Sequence, residues 1–239
     1  MNSYKSSSQL KSLAKGQLLG KYPTLIGAFV LSQLVMMVFS WLPGAFVDMS
    51  TVFGVIINFL ITFIIGLFAG IFSSGQAYVY LNISCGHKCK ATDVFYGFKH
   101  YPDKALLFQF VVSGISTVSM MPFYFLSLLF EYTMDIVWVL PACIALIIGG
   151  VITIYFSLAF SQVYYLLLDF PNYSVTQILS LSMKIMKGHK ARLFYIFVSF
   201  LPLFFLALLS FGIGMLWIIP YVNATLTNFY LDLIRNRQV

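Results

Sequence analysis

The chain has 239 residues, of which 60% are hydrophobic and 9% are charged, and its mean hydropathy is +0.92. A soluble domain of this size cannot bury so much apolar surface, so the composition predicts an all-α, polytopic membrane protein. The net charge of +7 does not indicate nucleic-acid binding, because the basic residues all lie on one side of the predicted membrane spans.

The first 22 residues are rich in Ser and Lys. Four leucines stand at roughly helical spacing against two lysines: Leu10, Leu13, Leu18 and Leu19 against Lys11 and Lys15. This pattern fits an interfacial amphipathic helix whose lysines face anionic headgroups. A solvated basic tail fits it equally well.

Six apolar runs are candidates to cross the hydrocarbon core of a bilayer, which is about 30 Å thick. They cover residues 23–42, 52–83, 105–130, 136–168, 193–211 and 215–231. The run 52–83 contains no charged residue or histidine. As a helix it would be about 48 Å long, so we expect it to tilt or to project from the bilayer.

Small or polar residues recur at every fourth position of this run. They are Gly54, Asn58, Thr62, Gly66, Gly70, Ser74 and Tyr78. Small residues let helix backbones approach in lipid, so this face predicts a central helix packed on its neighbours. A lipid or substrate groove along the same face is the alternative.

The distribution of charge predicts the topology. All 14 Lys and Arg residues fall on one side of the six runs, whereas the opposite loops carry Asp48, Glu131 and Asp135. By the positive-inside rule both termini are cytosolic, in a bacterial cytoplasmic membrane. Three tryptophans fall at the outer ends of the runs, as an interfacial belt predicts: Trp41, Trp138 and Trp217.

The predicted cytosolic loops carry further helical signals. In the loop 84–104, Thr92 resembles a helix cap and precedes an aromatic patch that includes Phe95 and Phe98. In the loop 169–192, Ser174 and Gln177 form a capping-box pair before an amphipathic stretch, and Gly188 is a candidate C-cap.

These pieces suggest a single membrane domain, 1–239, built from three parallel hairpin repeats at 1–83, 84–168 and 169–239. Each unit has an amphipathic stretch, an outgoing span and a returning span. The repeat would bring Gln76, Gln162 and Asn228 to one depth near the cytosolic face. They would form either a polar cluster or ordinary interhelical hydrogen bonds.

The sequence offers little chemistry for catalysis. Cys85-x-His87-x-Cys89 lacks the second ligand pair that zinc sites use, so no metal or other cofactor is predicted. There is no nucleophile elbow, phosphate-binding glycine loop or carboxylate pair, so we do not expect an enzyme.

Four motifs in the C-terminal third carry a resemblance. They are residues 186–194 (MKGHKARLF), 212–217 (GIGMLW), Pro220-Tyr221 and Phe229-Tyr230. With the six-span layout they resemble a bacterial integral membrane family of unknown function that is common in Firmicutes. The layout is also similar to the membrane domain attached to some glycerophosphodiester phosphodiesterases. The resemblance implies a cytoplasmic-membrane protein and supplies no catalytic residues.

Two functions are compatible with these observations. The first is a non-enzymatic protein that binds or moves membrane lipids or other amphiphiles. The second is a structural or partner-binding subunit of a transporter or envelope complex. A specific retained lipid would favour the first function, and a stoichiometric membrane protein partner would favour the second.

Overall fold

The computed structural model describes residues 4–47 and 51–236, and this part of the chain contains helices and no strand. The predicted loop residue Asp48 and the basic Arg237 lie outside the described residues. The α-helices are α1 Ser7–Leu18, α2 Tyr22–Phe46, α3 Val52–Ser84, α4 Tyr96–Lys99, α5 Pro102–Thr133, α6 Val139–Ala159, α7 Val163–Asp169, α8 Val175–Met186, α9 Lys190–Val198, α10 Leu201–Leu209 and α11 Met215–Arg235. Short 3₁₀ helices cover Ala91–Phe95 and Ile136–Trp138.

Five stretches are long and apolar enough to cross a membrane. They are Tyr22–Trp41, Phe53–Ser84, Pro102–Thr133, Ile136–Asp169 and Lys190–Leu209. Only 6 to 22% of the residues in their most apolar windows are buried within the protein, so most of this surface can contact hydrocarbon. The all-helical class is therefore confirmed, with five long apolar stretches.

Helix α11, the sixth predicted span, differs from the other five. It has 21 residues, but polar side chains such as Asn223, Asn228 and Asp232 keep it outside the apolar set. Ten of its residues are buried. A helix surrounded by protein can keep polar side chains because neighbouring helices supply their hydrogen-bond partners.

Two of the predicted spans are interrupted within their length, although both stretches remain long and apolar enough to cross a membrane. The run 136–168 breaks between α6 and α7 at residues 160–162, and the run 193–211 breaks between α9 and α10 at Ser199 and Phe200. Pro202 explains the second break, because it has no N–H to bond the carbonyl oxygen of Val198.

Buried side chains concentrate at the end of the bundle where α1, α4, α8 and the last turn of α11 lie. We call this the basic end. The buried face of α1 is Leu10, Ala14 and Leu18, which are fully inaccessible to solvent. Ser6 and Gln9 form a capping box that starts this helix. Helix α1 is therefore docked on the protein, and its helical character is confirmed.

The segment between α3 and α5 also packs on the bundle. Val94 is fully buried, and Phe72 of α3 contacts the rings of Phe95 and Phe98, with centroid distances of 5.8 and 5.1 Å. The expected cap at Thr92 is wrong, because the Asp93 carboxylate instead accepts a 2.8 Å hydrogen bond from the backbone of Lys90. In α8, by contrast, the Ser174–Gln177 capping box and the left-handed Gly188 are as expected.

A candidate binding site in the polar cavity of the bundle

A polar cavity of about 180 Å³ lies between α3, α7, α9 and α11. Eight of its eleven lining residues carry a hydroxyl or an amide group. The lining residues are Ser73, Gln76, Ala77 and Tyr80 of α3, Ser161, Gln162, Tyr164 and Tyr165 around the start of α7, Phe197 of α9, and Asn223 and Leu226 of α11. None of these side chains is charged, so the cavity can recognise a ligand by hydrogen bonds but not by ion pairs.

Helix α3 contributes one regular face to the cavity. Ser73, Gln76 and Tyr80 are spaced by three and four residues and therefore lie on the same side of the helix. The Gln76 amide donates a 3.0 Å hydrogen bond to the Ser32 hydroxyl of α2. This bond fixes the amide plane and leaves the Gln76 carbonyl oxygen available to other donors.

The break between α6 and α7 places Gln162 in the cavity wall. Gln162 is 1% exposed, and its amide nitrogen donates a 2.7 Å hydrogen bond to the Ser161 hydroxyl. Its carbonyl oxygen is buried and has no hydrogen-bond partner among the described residues. A buried acceptor without a donor costs about 1–3 kcal/mol, so this oxygen favours a donor inside the cavity.

The remaining polar walls are held by bonds between helices. The Tyr164 hydroxyl donates to the Gln109 carbonyl oxygen of α5 at 2.9 Å, and the Tyr165 hydroxyl lies 3.0 Å from that of Thr227 on α11. These two hydrogen bonds tie α7 to α5 and to α11. Tyr80 of α3 and Asn223 of α11 both line the cavity.

The predicted polar cluster is only partly assembled. Gln76 and Gln162 line the same cavity, but Asn228 does not. Its amide instead pairs with that of Gln17 on α1, with hydrogen bonds of 2.7 and 3.1 Å in the two directions. Asn228 lies one and a half turns beyond Asn223, which puts it closer to the basic end, where it anchors α1.

The predicted small-residue face of α3 divides into two halves. A Cβ added at Gly70 would lie 2.6 Å from the Gln109 Cβ and 2.7 Å from the Ala105 oxygen, and Ser74 is 1% exposed. A Cβ at Gly66 would meet nothing within 4 Å, and Thr62 is exposed. Asn58 is half-buried. Gly54 is buried, and its N–H donates a hydrogen bond to the hydroxyl of Thr51, the N-cap of α3. The face therefore packs closely at Gly70 and is open at Gly66.

A family model described as "Protein of unknown function (DUF975)" matches residues 1–237. The chain belongs to this family. The expected resemblance to an uncharacterised family is thereby confirmed at the level of the family. No curated protein and no solved structure matches the chain.

Two other close contacts in this DUF975 member were not predicted by the sequence pattern. A Cβ at Gly75 would lie 1.7 Å from the Val94 oxygen, and one at Gly97 would lie 2.3 Å from the Ile71 oxygen. These two glycines let the 91–99 segment cross α3 backbone to backbone. Gly75 falls one position off the predicted four-residue face, so that pattern could not reveal it.

Cavity residues were missed for a related reason. The four-residue pattern of α3 runs through positions 70, 74 and 78, so it did not indicate Ser73 and Tyr80, which line the cavity beside the predicted Gln76. Three polar residues at helical spacing inside an apolar run were the available signal. Asn223 and Ser161 gave no signal, because they become neighbours only through the packing of α11 against α3 and α7.

The other predicted positions are located as follows. Trp41 and Trp217 are 72% and 50% exposed, and Trp138 is half-buried; all three lie at the helix ends opposite the basic end. The cysteines are free thiols, with Cys85 and Cys143 exposed and Cys89 half-buried. Within residues 4–47 and 51–236, no group of His, Cys, Asp or Glu is placed to hold a metal ion.

Proposed function

We propose that this protein binds the polar end of a lipid or another amphiphile in the cavity between α3, α7, α9 and α11, without catalysing a reaction on it. The protein would lie in a bacterial cytoplasmic membrane with six crossings, α11 being the sixth, and with both termini in the cytosol. The positive-inside distribution of Lys and Arg supports this orientation. The three helical hairpins would be related as parallel repeats.

The observation that carries the proposal is that Gln162 lines the cavity while its buried carbonyl oxygen has no hydrogen-bond partner among the described residues. A volume of about 180 Å³ is enough for several water molecules or for a polar group of a few heavy atoms. A hydroxyl or N–H group entering the cavity would satisfy this oxygen.

The chemistry of the wall selects the kind of polar group. The hydroxyls of Ser and Tyr and the amides of Gln and Asn can both donate and accept hydrogen bonds. Because the wall carries no charge, an uncharged group with several hydroxyl or amide functions fits better than a bare phosphate. A glycerol or sugar headgroup has this chemistry.

The cavity also has an apolar side that suits an amphiphile. Phe197 lines the cavity and is 38% exposed, so its ring lies between the cavity and the outer surface of the bundle. Leu226 adds a second apolar side chain to the same wall. An acyl chain attached to the bound headgroup could leave past Phe197 into the bilayer.

The experiment is native mass spectrometry of the protein extracted gently from its own membrane. We expect wild type to retain one lipid species enriched over the bulk, and Gln162→Leu and Asn223→Leu to lose that enrichment. Gln33→Leu is the matched control, since Gln33 is an exposed amide on α2 that does not line the cavity. Thermal unfolding of each variant would show that it is folded.

Equal retention by the cavity variants and the control would contradict the proposal. A second protein retained at fixed stoichiometry, without an enriched lipid, would instead favour the partner-binding subunit. The two outcomes are distinguished in one spectrum by the mass that is added to the chain.

A further inference from the structure

A second groove, of about 530 Å³, lies at the basic end between α1, α9 and α11. Its floor and walls carry hydroxyls and two ammonium groups, and it shares no lining residue with the polar cavity. The residues that matter for its chemistry are Ser7, Ser8, Lys11, Ser12, Lys15 and Ser199.

Two lysines give the groove its charge. Lys11 Nζ donates a 2.9 Å hydrogen bond to the Ser199 oxygen and lies 4.0 Å from the centroid of the Phe200 ring. Lys15 Nζ lies 5.7 Å from the centroid of the Tyr221 ring, one helical turn further along α1. Neither ammonium has a described carboxylate within ion-pair distance.

The surroundings of Lys11 disfavour its charged form when no anion is nearby. Partial burial, with a smaller contribution from the neighbouring charge of Lys15, lowers the pKa of the Lys11 ammonium. An anion between the two lysines would oppose both effects, because it compensates the charges that burial and mutual repulsion disfavour.

Hydroxyl and backbone groups add donors around the same space. Ser7 and Ser8 lie in the first turn of α1, whereas Ser12, one turn further on, already donates its hydroxyl proton to the Gln9 oxygen at 2.9 Å. The Ser6 hydroxyl accepts from the N–H of Gln9, but the other first-turn N–H groups have no acceptor within the helix, and the helix dipole favours an anion near them. Phosphate oxygens can accept bonds from both kinds of donor.

The groove also continues onto an apolar surface. Along α9 and α10, exposed side chains follow one another from the groove toward the opposite end of the bundle: Tyr195 at 63%, Val198 at 40%, Leu201 at 49% and Phe205 at 66% exposure. Only Tyr195 of these lines the groove itself. A phosphate held between the lysines would therefore lie beside a path suited to acyl chains.

We propose that this groove is a binding site for the phosphate of an anionic phospholipid, with its acyl chains along the exposed face of α9 and α10. The site is independent of the polar cavity: one recognises a negative charge at the basic end, and the other recognises uncharged hydrogen-bonding groups deeper in the bundle. Its role would be to fix α1 against the membrane surface.

The test uses the full chain in nanodiscs of phosphatidylcholine with a minor fraction of phosphatidylglycerol. Native mass spectrometry then measures the enrichment of phosphatidylglycerol on the released protein over the nanodisc composition. We expect enrichment on wild type and a loss of about thirty-fold in the affinity of Lys11→Gln/Lys15→Gln, from about five-fold per lysine near an anionic lipid. Lys15→Gln alone keeps the Lys11 bond to Ser199, so it tests the site without disturbing α1, and should lose about five-fold.

The matched control is Lys88→Gln/Lys187→Gln, which removes the same charge from two exposed lysines outside the groove. Equal losses in the two double variants would overturn the proposal in favour of diffuse attraction. Displacement of phosphatidylglycerol by inorganic phosphate at moderate concentration would also overturn it, because the site would then be one for a soluble anion. Gln162→Leu should keep the phosphatidylglycerol enrichment, so failure of the cavity proposal and failure of this one are separable.

Discussion

Arg192 Nη2 lies 2.5 Å from Asp232 Oδ2 and also 2.5 Å from the backbone oxygen of Lys5. The Asp232 side chain is 4% exposed and also accepts hydrogen bonds from the Lys5 N–H, at 3.2 and 3.4 Å. The guanidinium is flanked by the rings of Tyr4 and Phe229, 5.4 and 4.9 Å from their centroids. One ion pair thus joins the N-terminal segment, the start of α9 and the end of α11.

We expect Asp232→Asn to destabilise the protein by about 3 kcal/mol, because it leaves a largely buried guanidinium without its counter-charge. Reversible unfolding in mixed micelles, followed by tryptophan fluorescence, measures this change. Glu131→Gln removes an exposed carboxylate at the opposite end and should leave stability unchanged. Replacing both partners, as in Arg192→Met/Asp232→Leu, should recover most of the loss, since no uncompensated charge remains. A single variant as stable as wild type would show that the pair is not coupled to folding.

The glycines of α3 provide a matched pair. Gly70→Ala should destabilise the protein by about 1–3 kcal/mol, because its Cβ would overlap Gln109 and the Ala105 oxygen. Gly66→Ala should be neutral or stabilising by up to about 1 kcal/mol, because open space surrounds the new methyl and alanine favours the helix. Thermal unfolding in one detergent compares the two. Equal effects would mean that α3 packs through Gly66 as well.

Helix α1 should depend on the amide pair between Gln17 and Asn228. Gln17→Ala and Asn228→Ala each remove both hydrogen bonds of the pair, so their effects on unfolding should not add. We expect a coupling energy of about 1 kcal/mol from the double-mutant cycle. Gln33→Ala combined with Asn228→Ala is the control cycle, because Gln33 lies on α2 and has no described contact with Asn228, and it should be additive. Additivity in both cycles would contradict the docking of α1 on α11.

The sequence predicted the apolar stretches well, because length and hydropathy decide them locally. The capping box of Ser174 and Gln177 at the start of α8 was also predicted, since it is a contact over three residues. The helix breaks at Gln162 and Ser199 could not be predicted from the sequence. A break leaves backbone N–H and C=O groups without their helical partners, and tertiary packing has to supply other partners. Pro202 indicated the break at Ser199, whereas nothing in the sequence indicated the break at Gln162.

The candidate site was harder to predict than the fold. Gln76 and Gln162 were expected to lie together, and they line one cavity. Asn228 was grouped with them by its position in a repeat, but the rotation of α11 turns Asn223 to the cavity and Asn228 to α1. Successive residues of a helix are rotated by about 100°. An error of a few residues in aligning the repeats therefore assigns a residue to the wrong face of its helix. The threefold repeat itself stays a prediction.

The cysteines can test both the local structure and the proposed topology. Partial burial and the nearby carboxylate of Asp93 raise the pKa of the Cys89 thiol, so less thiolate is present at a given pH. Since the thiolate is the nucleophile, we expect maleimide to modify exposed Cys85 faster than Cys89 at neutral pH. Raising the pH should narrow the difference, because Cys89 then ionises. Peptide mass spectrometry after timed quenching measures both rates.

A membrane-impermeant maleimide extends this experiment to intact cells. If the basic end faces the cytosol, Cys85 should be protected in intact cells and modified in inverted membrane vesicles. Cys85→Ser is the control for labelling at Cys89 and at Cys143, which lies in the apolar helix α6. A cysteine placed at Asp135, in the loop between α5 and α6, should show the opposite pattern. Rapid labelling of Cys85 from outside intact cells would reverse the proposed orientation, and the basic groove at α1 would then face the outer leaflet.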